Sequence, residues 1–271
     1  MAYQLLKGKK GIIFGALNEM SIAWKVAEKA YEEGAQIVLT NAPIAMRMGE
    51  INKLAEKCGN APVIAADATS DEDLGNLFDG AIKHFGGGVD FVLHSIGMSP
   101  NVRKGKHYTD TNYEFYHKTM DISAMSLHRI LKAAMERDAI NEWGSVVALS
   151  YIAAQRVFPD YNDMADAKAL LESIARSFGY HYGVRKKVRV NTISQSPTVT
   201  TAGSGVKGFD EFVAYAESMS PLGNAGAADC ANYVVAMFSD LTRYVTMQNL
   251  FHDGGFSFTG VSEAVAKTFV K

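Results

Sequence analysis

The chain has 271 residues, 48% hydrophobic and 21% charged, with a net charge of −2 and a pI near 6.4. That length suits one α/β domain with a large apolar core, and the near-neutral balance supplies no global basic field for nucleic acid or an anionic membrane. No apolar run approaches the ~20 residues of a membrane span, Cys58 and Cys230 have no CxxC partner, and the histidines lack metal-ligand spacing, so a soluble, cytoplasmic protein without a metal site is expected.

In chain order, the first strand, GIIFG, ends at Gly15 and runs into ALNEMSIAWK. A dinucleotide fold turns tightly at such a point, so that backbone amides and a helix N-terminus meet the pyrophosphate. The glycine fingerprint is incomplete, because other residues hold the positions where later glycines would sit, and Ser21 and Ile22 open the helix. That helix shows an apolar stripe of Ile22, Ala23, Val26, Ala27, Ala30 and Tyr31, with Ser21 as N-cap and Gly34 as stop. After the second strand, AQIVLT, there is no acidic residue for an adenosine 2′-hydroxyl, and the nearby base is Arg47, so the sequence leaves NADH and NADPH both open.

The third run, APVIAAD, places Asp67 where a carboxylate can meet an adenine amino group, beside the small Ala68. The fourth, VDFVLHSIG, exits through Ser95, Ile96 and Gly97, a flat seat for a ribose. GSVVALS, VRVNTIS and MQNLFHDGG complete a series of short apolar runs separated by helical stretches, the pattern of strands buried on both faces. The basic cluster Arg185, Lys186, Lys187 and Arg189 reads as a solvated turn. The expectation is a Rossmann-like, doubly wound parallel sheet of about seven strands with helices on both faces, residues 1–271 forming a single domain. Two long polar segments, GMSPNVRKGKHYTDTN and SQSPTVTTAGSGVKGF, leave carboxyl ends of strands and would wall a ligand site.

Between the fifth strand and the next helix stand Tyr151, Tyr161 and Lys168. Read as helical, Tyr161 and Lys168 lie two turns apart on one face, about 10 Å along the axis. The lysine can then hydrogen-bond a nicotinamide ribose while the phenol reaches toward a substrate. A loop-capping tyrosine and a surface lysine are the plainer reading.

Ordinary short-chain dehydrogenases use Tyr-x-x-x-Lys with a serine thirteen residues before the tyrosine; counted from Lys168, those positions hold Met164 and Tyr151. Tyr-x6-Lys with a second tyrosine in the serine position instead resembles the divergent short-chain family of NAD(P)H-dependent enoyl-[acyl-carrier-protein] reductases of bacterial fatty acid synthesis. The likeness runs nearly the whole chain: Gly15 with SIA at Ser21 to Ala23, Asp67, HSIG at His94 to Gly97, LSY at Leu149 to Tyr151, RVN at Arg189 to Asn191 and DGG at Asp253 to Gly255.

The resemblance implies hydride transfer to the β-carbon of a trans-2-enoyl thioester on acyl carrier protein, with Tyr161 donating to the developing enolate oxygen, Lys168 anchoring the ribose and Tyr151 lining the pocket. It implies NADH, with NADPH as the other option, and a homotetramer. It extends cofactor contacts to Ala42 and to Thr198, Val199, Thr200, Thr201 and Ala202, substrate contact to Ser99, and a flexible lid to residues 198–220, with Phe209, Phe212 and Tyr215 facing an acyl tail. The chain departs from its relatives at Ala42, often a glutamine, in the turn SQSPTV, and at Asp210 and Glu211, where relatives often carry bases that meet the acidic carrier; Lys207 is retained. A 3-oxoacyl carbonyl reductase and a non-catalytic NAD(P)-binding sensor are the alternative functions.

Overall fold

The computed structural model describes residues 2–201 and 208–269. Six strands pair in parallel: β1 (Lys10–Phe14), β2 (Gln36–Thr40), β3 (Val89–His94), β4 (Ile140–Ser150), β5 (Arg189–Gln195) and β6 (Asn249–His252), in the order β2-β1-β3-β4-β5-β6. The expected strand APVIAAD is reduced to a single parallel bridge between Leu39 and Val63 on the outer edge of β2. Pro62 opens that segment and has no N–H to give to a ladder.

Between the strands run α1 (Ile22–Glu32), α2 (Pro43–Met48), α3 (Ile51–Lys57), α4 (Asp71–Phe85), α5 (Pro100–Arg103), α6 (Tyr113–Met120), α7 (Ser126–Glu136), α8 (Asn162–Lys186), α9 (Phe209–Met219), α10 (Ala227–Phe238) and α11 (Glu263–Thr268). None of these helices is long and apolar enough to cross a membrane. Consecutive strand residues point to opposite faces, so Ile12 packs with Val92, Val146 and Val190 under α4, α7 and α8, while Ile13 packs with Leu93, Val147 and Ile193 under α1 and α10. Each such side chain, buried from both layers, contributes roughly 1.5–3 kcal/mol. That is why the strands read as continuous apolar runs.

Two local expectations change. The buried stripe of α1 is Ala23, Trp24, Val26, Ala27 and Ala30; Tyr31 is exposed, and the Ser21 side chain, expected to cap the helix, instead donates to Asn18 O (2.7 Å) and accepts from Leu17 N (3.2 Å). The basic cluster divides. Lys186 pairs with Asp138 at 2.9 Å near the surface, but Arg189 is buried and donates to Met237 O (3.0 Å), Ser239 O (3.1 Å) and Thr242 O (2.9 Å). The carbonyls that end α10 have no partner within their own helix, and a guanidinium can satisfy several at once.

The strand order reverses between β1 and β3, which opens a crevice beyond their carboxyl ends. Loops after β3 and β5 rise on either side of it. The segment 113–136 is nearly continuous helix, interrupted by a π-helical turn at Asp121–Met125 between α6 and α7. There Ser123 Oγ accepts from Met98 N (2.9 Å) and donates to Met98 O (3.1 Å), which fixes the chain as it leaves β3.

Candidate active site

A cavity of about 940 Å³ occupies this crevice, near the upper end of the ~300–1,000 Å³ usual for ligand sites. Its nucleotide end is lined by Gly15, Ser21 and Ile22 beyond β1, by Ala42 beyond β2, and by Asp67 and Ala68. Ser95, Ile96 and Gly97 line it beyond β3, as do Thr198, Thr200 and Thr201 beyond β5. Val199, by contrast, is exposed and lines a neighbouring depression with Asp210. Ala202 and Lys207 lie outside the described residues.

Backbone shape does most of the work at this end. Gly15 has φ +95°, and a Cβ there would lie 2.0 Å from Ser95 O, so the exits of β1 and β3 approach closely because no side chain intervenes. A Cβ on Gly97 would meet Met164 Cε at 3.8 Å and Lys168 Nζ at 3.9 Å, ordinary contact distances, so this exit of β3 lies directly beside the amine. One Asp67 oxygen accepts from Thr69 N (2.9 Å) and Thr69 Oγ1 (2.7 Å), so this carboxylate partly closes its own turn.

At the other end, Tyr161 does not lie within a long helix as the spacing suggests. It closes a 3₁₀ turn, Pro159–Tyr161, and α8 begins one residue later at Asn162, whose φ is +41°. This uncommon conformation for a side-chain-bearing residue is held by three hydrogen bonds. Asn162 Nδ2 donates to Lys106 O (2.7 Å), and its Oδ1 accepts from Thr111 Oγ1 (3.0 Å) and Asp163 N (2.6 Å). Both Tyr161 and Lys168 nevertheless line the cavity.

Lys168, 8% exposed, donates from Nζ to Leu149 O at 2.8 Å. Burial draws its ammonium down to about 8, and the Glu172 carboxylate one turn along α8 works in the opposite direction. Glu172 is itself buried and accepts from Ser150 Oγ (2.7 Å) and Gln155 Nε2 (3.2 Å). The rings of Tyr151 and Tyr161 sit 5.1 Å apart, and burial raises both phenols, so each remains a neutral donor at pH 7. Tyr151 Oη is buried without a protein partner among the described residues. Phe158, Phe209 and Phe212 add an apolar wall, Phe158 and Phe212 edge to face at 5.1 Å. Tyr215 is exposed and meets Phe256 instead. Ser99 also lines the cavity, but its hydroxyl is turned away, donating to Asp163 Oδ1 at 2.5 Å.

A phenol and an ammonium beside an open dinucleotide cradle are what hydride-transferring reductases use, and comparison with known proteins narrows the class. The family model described as enoyl-(acyl carrier protein) reductase matches residues 15–257. The chain belongs to this family. It is 33% identical over 265 residues to an enoyl-[acyl-carrier-protein] reductase [NADH] FabI of Rickettsia typhi, covering 97% of this chain and 99% of the relative. Among solved structures, the FabI–NADH complex of Alistipes finegoldii superposes with a TM-score of 0.97 at 67% identity, covering 98% of this chain and 94% of that one. The Bacillus cereus enoyl-acyl carrier protein reductase with NADP⁺ and indole naphthyridinone gives 0.89 at 29% identity, covering 96% and 100%.

Several residues of this enoyl reductase site carry no motif signal. Asn41 Nδ2 donates to Ala16 O (3.1 Å) and steadies the first turn, while Asn18 Nδ2 donates to Thr201 Oγ1 (2.9 Å), joining the β1 and β5 exits. Asp163 accepts from Ser99 Oγ, Asn101 Nδ2 (2.7 Å) and Thr119 Oγ1 (2.9 Å). The available clue is a carboxylate two residues after the tyrosine.

Proposed function

We propose that the chain reduces the trans-2 double bond of enoyl thioesters carried on acyl carrier protein, using NADH, in fatty acid synthesis. The observation that carries this reading is the meeting of Tyr161 and Lys168 in one cavity with the open cradle at Gly15 and Gly97. NADH when bound supplies the hydride. Gly15, Ser21, Ile22, Ala42, Asp67, Ala68, Ser95, Ile96, Gly97, Thr198, Thr200 and Thr201 would hold its two halves, and Lys168 would donate to the nicotinamide ribose. Tyr161, a neutral phenol whose ionisation burial makes harder still, would donate a hydrogen bond to the thioester oxygen as it gains enolate character. The aromatic wall of Tyr151, Phe158 and Phe212 excludes water from that oxygen and packs the acyl chain.

A preference for NADH is supported by the exit of β2. Ala42 occupies the wall there, and Arg47 is exposed on α2 outside the cavity lining, so an adenosine 2′-phosphate would find no base. We read residues 1–271 as one domain and residues 198–220 as its substrate lid; cofactor-dependent protection of α9 from proteolysis tests the lid. A homotetramer is supported by the open outer edge of β6 and the exposed Phe258 and Val261 beyond it, and sedimentation measures it.

The deciding assay pairs NADH and NADPH with crotonyl and acetoacetyl thioesters. Oxidation of NADH with crotonyl thioester, at least about tenfold faster than with NADPH, is the expected result. Oxidation with acetoacetyl and none with crotonyl thioester overturns the reading in favour of a carbonyl reductase.

A further inference from the structure

We propose that the carrier protein delivering the substrate docks on the rim formed by residues 103–118, presented by Arg103, Lys104, Lys106 and Lys118, rather than on the lid helix α9. The proposal rests on the enoyl reductase reading above. It begins with a charge asymmetry across the mouth of the cavity. Residues 103–118 hold four Lys or Arg side chains, two histidines and two carboxylates, whereas residues 208–219 hold three carboxylates, Asp210, Glu211 and Glu217, and no base.

All four bases are exposed, and none forms an ion pair with a carboxylate among the described residues. Lys104 Nζ lies over the Phe115 ring at 4.3 Å, an arrangement that positions the ammonium without neutralising it. Arg103 and Lys118 also belong to the cavity wall, so the positive surface continues into the entrance. A carrier protein that presents its acyl group on a phosphopantetheine arm brings a phosphodiester at the root of that arm and acidic side chains around it. Such a partner is attracted by this rim and repelled by the carboxylates of α9. Asp210 and Glu211 have a local use instead: they occupy the first turn of α9, where carboxylates favour a helix N-terminus.

The rim is also fixed relative to the chemistry. Asn101 is fully buried in α5, accepts from Asn112 N (3.1 Å), and donates both to Asn112 O (3.1 Å) and to Asp163 Oδ2. Thr119 at the end of α6 donates to the same carboxylate, and Asn162 holds the backbone of Lys106. Both α5 and α6 are therefore tied to the first turn of α8, directly after Tyr161. A carrier seated on this rim has its arm aligned with the phenol by buried hydrogen bonds, independently of how the lid stands.

The test compares wild type with Lys104→Glu/Lys106→Glu, two exposed side chains outside the cavity wall, on enoyl-carrier protein and on the uncharged enoyl-N-acetylcysteamine thioester. The expected result is a KM for the carrier-borne substrate raised about tenfold at low salt, with its salt dependence flattened, and unchanged kinetics on the small thioester. An unchanged KM for the carrier-borne substrate, or an equal loss on both substrates, overturns the proposal. Should the double reversal fold poorly, Lys104→Gln/Lys106→Gln is used, with a severalfold KM change expected in the same direction. If wild type turns over neither thioester, the function reading itself has failed. Docking is then judged by titrating holo-carrier protein: weaker binding to the rim variant upholds it, and equal binding rejects it.

Discussion

At the nucleotide end of the cleft the walls come from strand exits with small side chains, Gly15, Ala42, Ala68 and Gly97, and from backbone groups between them. At the catalytic end the walls are Tyr151, Tyr161, Lys168 and a ring of phenylalanines, supported by buried carboxylates at Asp163 and Glu172. The first region needs room, and the second needs particular functional groups at particular distances. A substitution at the first should therefore change binding and folding together, whereas one at the second should change the rate of a protein that still folds and binds.

Tyr161→Phe is the strongest way to isolate the catalytic end. Removing the donor proposed to meet the developing charge should lower kcat by about 10²–10³ with the NADH Kd within about twofold, as read by turnover and fluorescence titration. A weakened Kd with kcat preserved would erase the division between the two ends. Lys168→Ala tests the junction between them. On the proposed ribose contact, Kd should rise and kcat fall, each by roughly ten- to a hundredfold; full NADH affinity in this variant would remove Lys168 from the ribose.

Gly15→Ala probes the opposite end. Its Cβ must displace Ser95 O from 2.0 Å at a φ of +95°, at a cost of about 1–3 kcal/mol, so Tm and NADH affinity should both fall. Single-turnover rates at saturating NADH should stay near wild type. The smallest effect is a pH shift. Lys168 carries its proton below about 8 and loses it above, so kcat/KM should decline as pH rises through that value. The sign for stability is opposite: above its folded value the unfolded chain holds more protons at this lysine, so the folded state gains stability over the window in which activity fades. Charged and titratable neighbours are Glu172 on the same helix, the two phenols, and His94 from β3, drawn down to about 3 by burial and therefore neutral here. Glu172→Gln removes the carboxylate that retains the proton, and the decline should move to lower pH; an unmoved profile would show that Glu172 only braces Ser150.

The same division governs what could be read from the chain. The tyrosine pair and the lysine were legible because few roles demand those groups in that order. The cradle was only faintly legible, since any turn accepts a small residue and Gly15 alone is compatible with a plain strand-to-helix bend. Burial altered two readings. Arg189 looked like a surface charge because its acceptors lie about fifty residues away, and the partner that takes up the Ser99 hydroxyl, Asp163, is likewise remote in the chain, though Ser99 still lines the cavity. The run APVIAAD was read as a strand from its apolar content, and it keeps only one bridge beside β2, with Leu39 N donating to Pro62 O and Ile64 N to Leu39 O. Tyr161 shares a cavity with Lys168, though through a 3₁₀ turn and a left-handed asparagine that spacing alone does not encode.

The wide turn at Asp121–Met125 has one more consequence. Each helical residue advances the face by about 100°, so the additional residue in a π-helical turn rotates α6 out of phase with α7 by roughly that angle. The rotation lets Thr119 look toward the Asp163 carboxylate while Leu127, Ile130 and Leu131, further along, face the sheet. Deleting a single residue from this stretch would leave every side chain chemically intact, yet it would swing one half of the rod away from its neighbours. Insertions and deletions here are governed by angular register, a constraint that composition does not reveal.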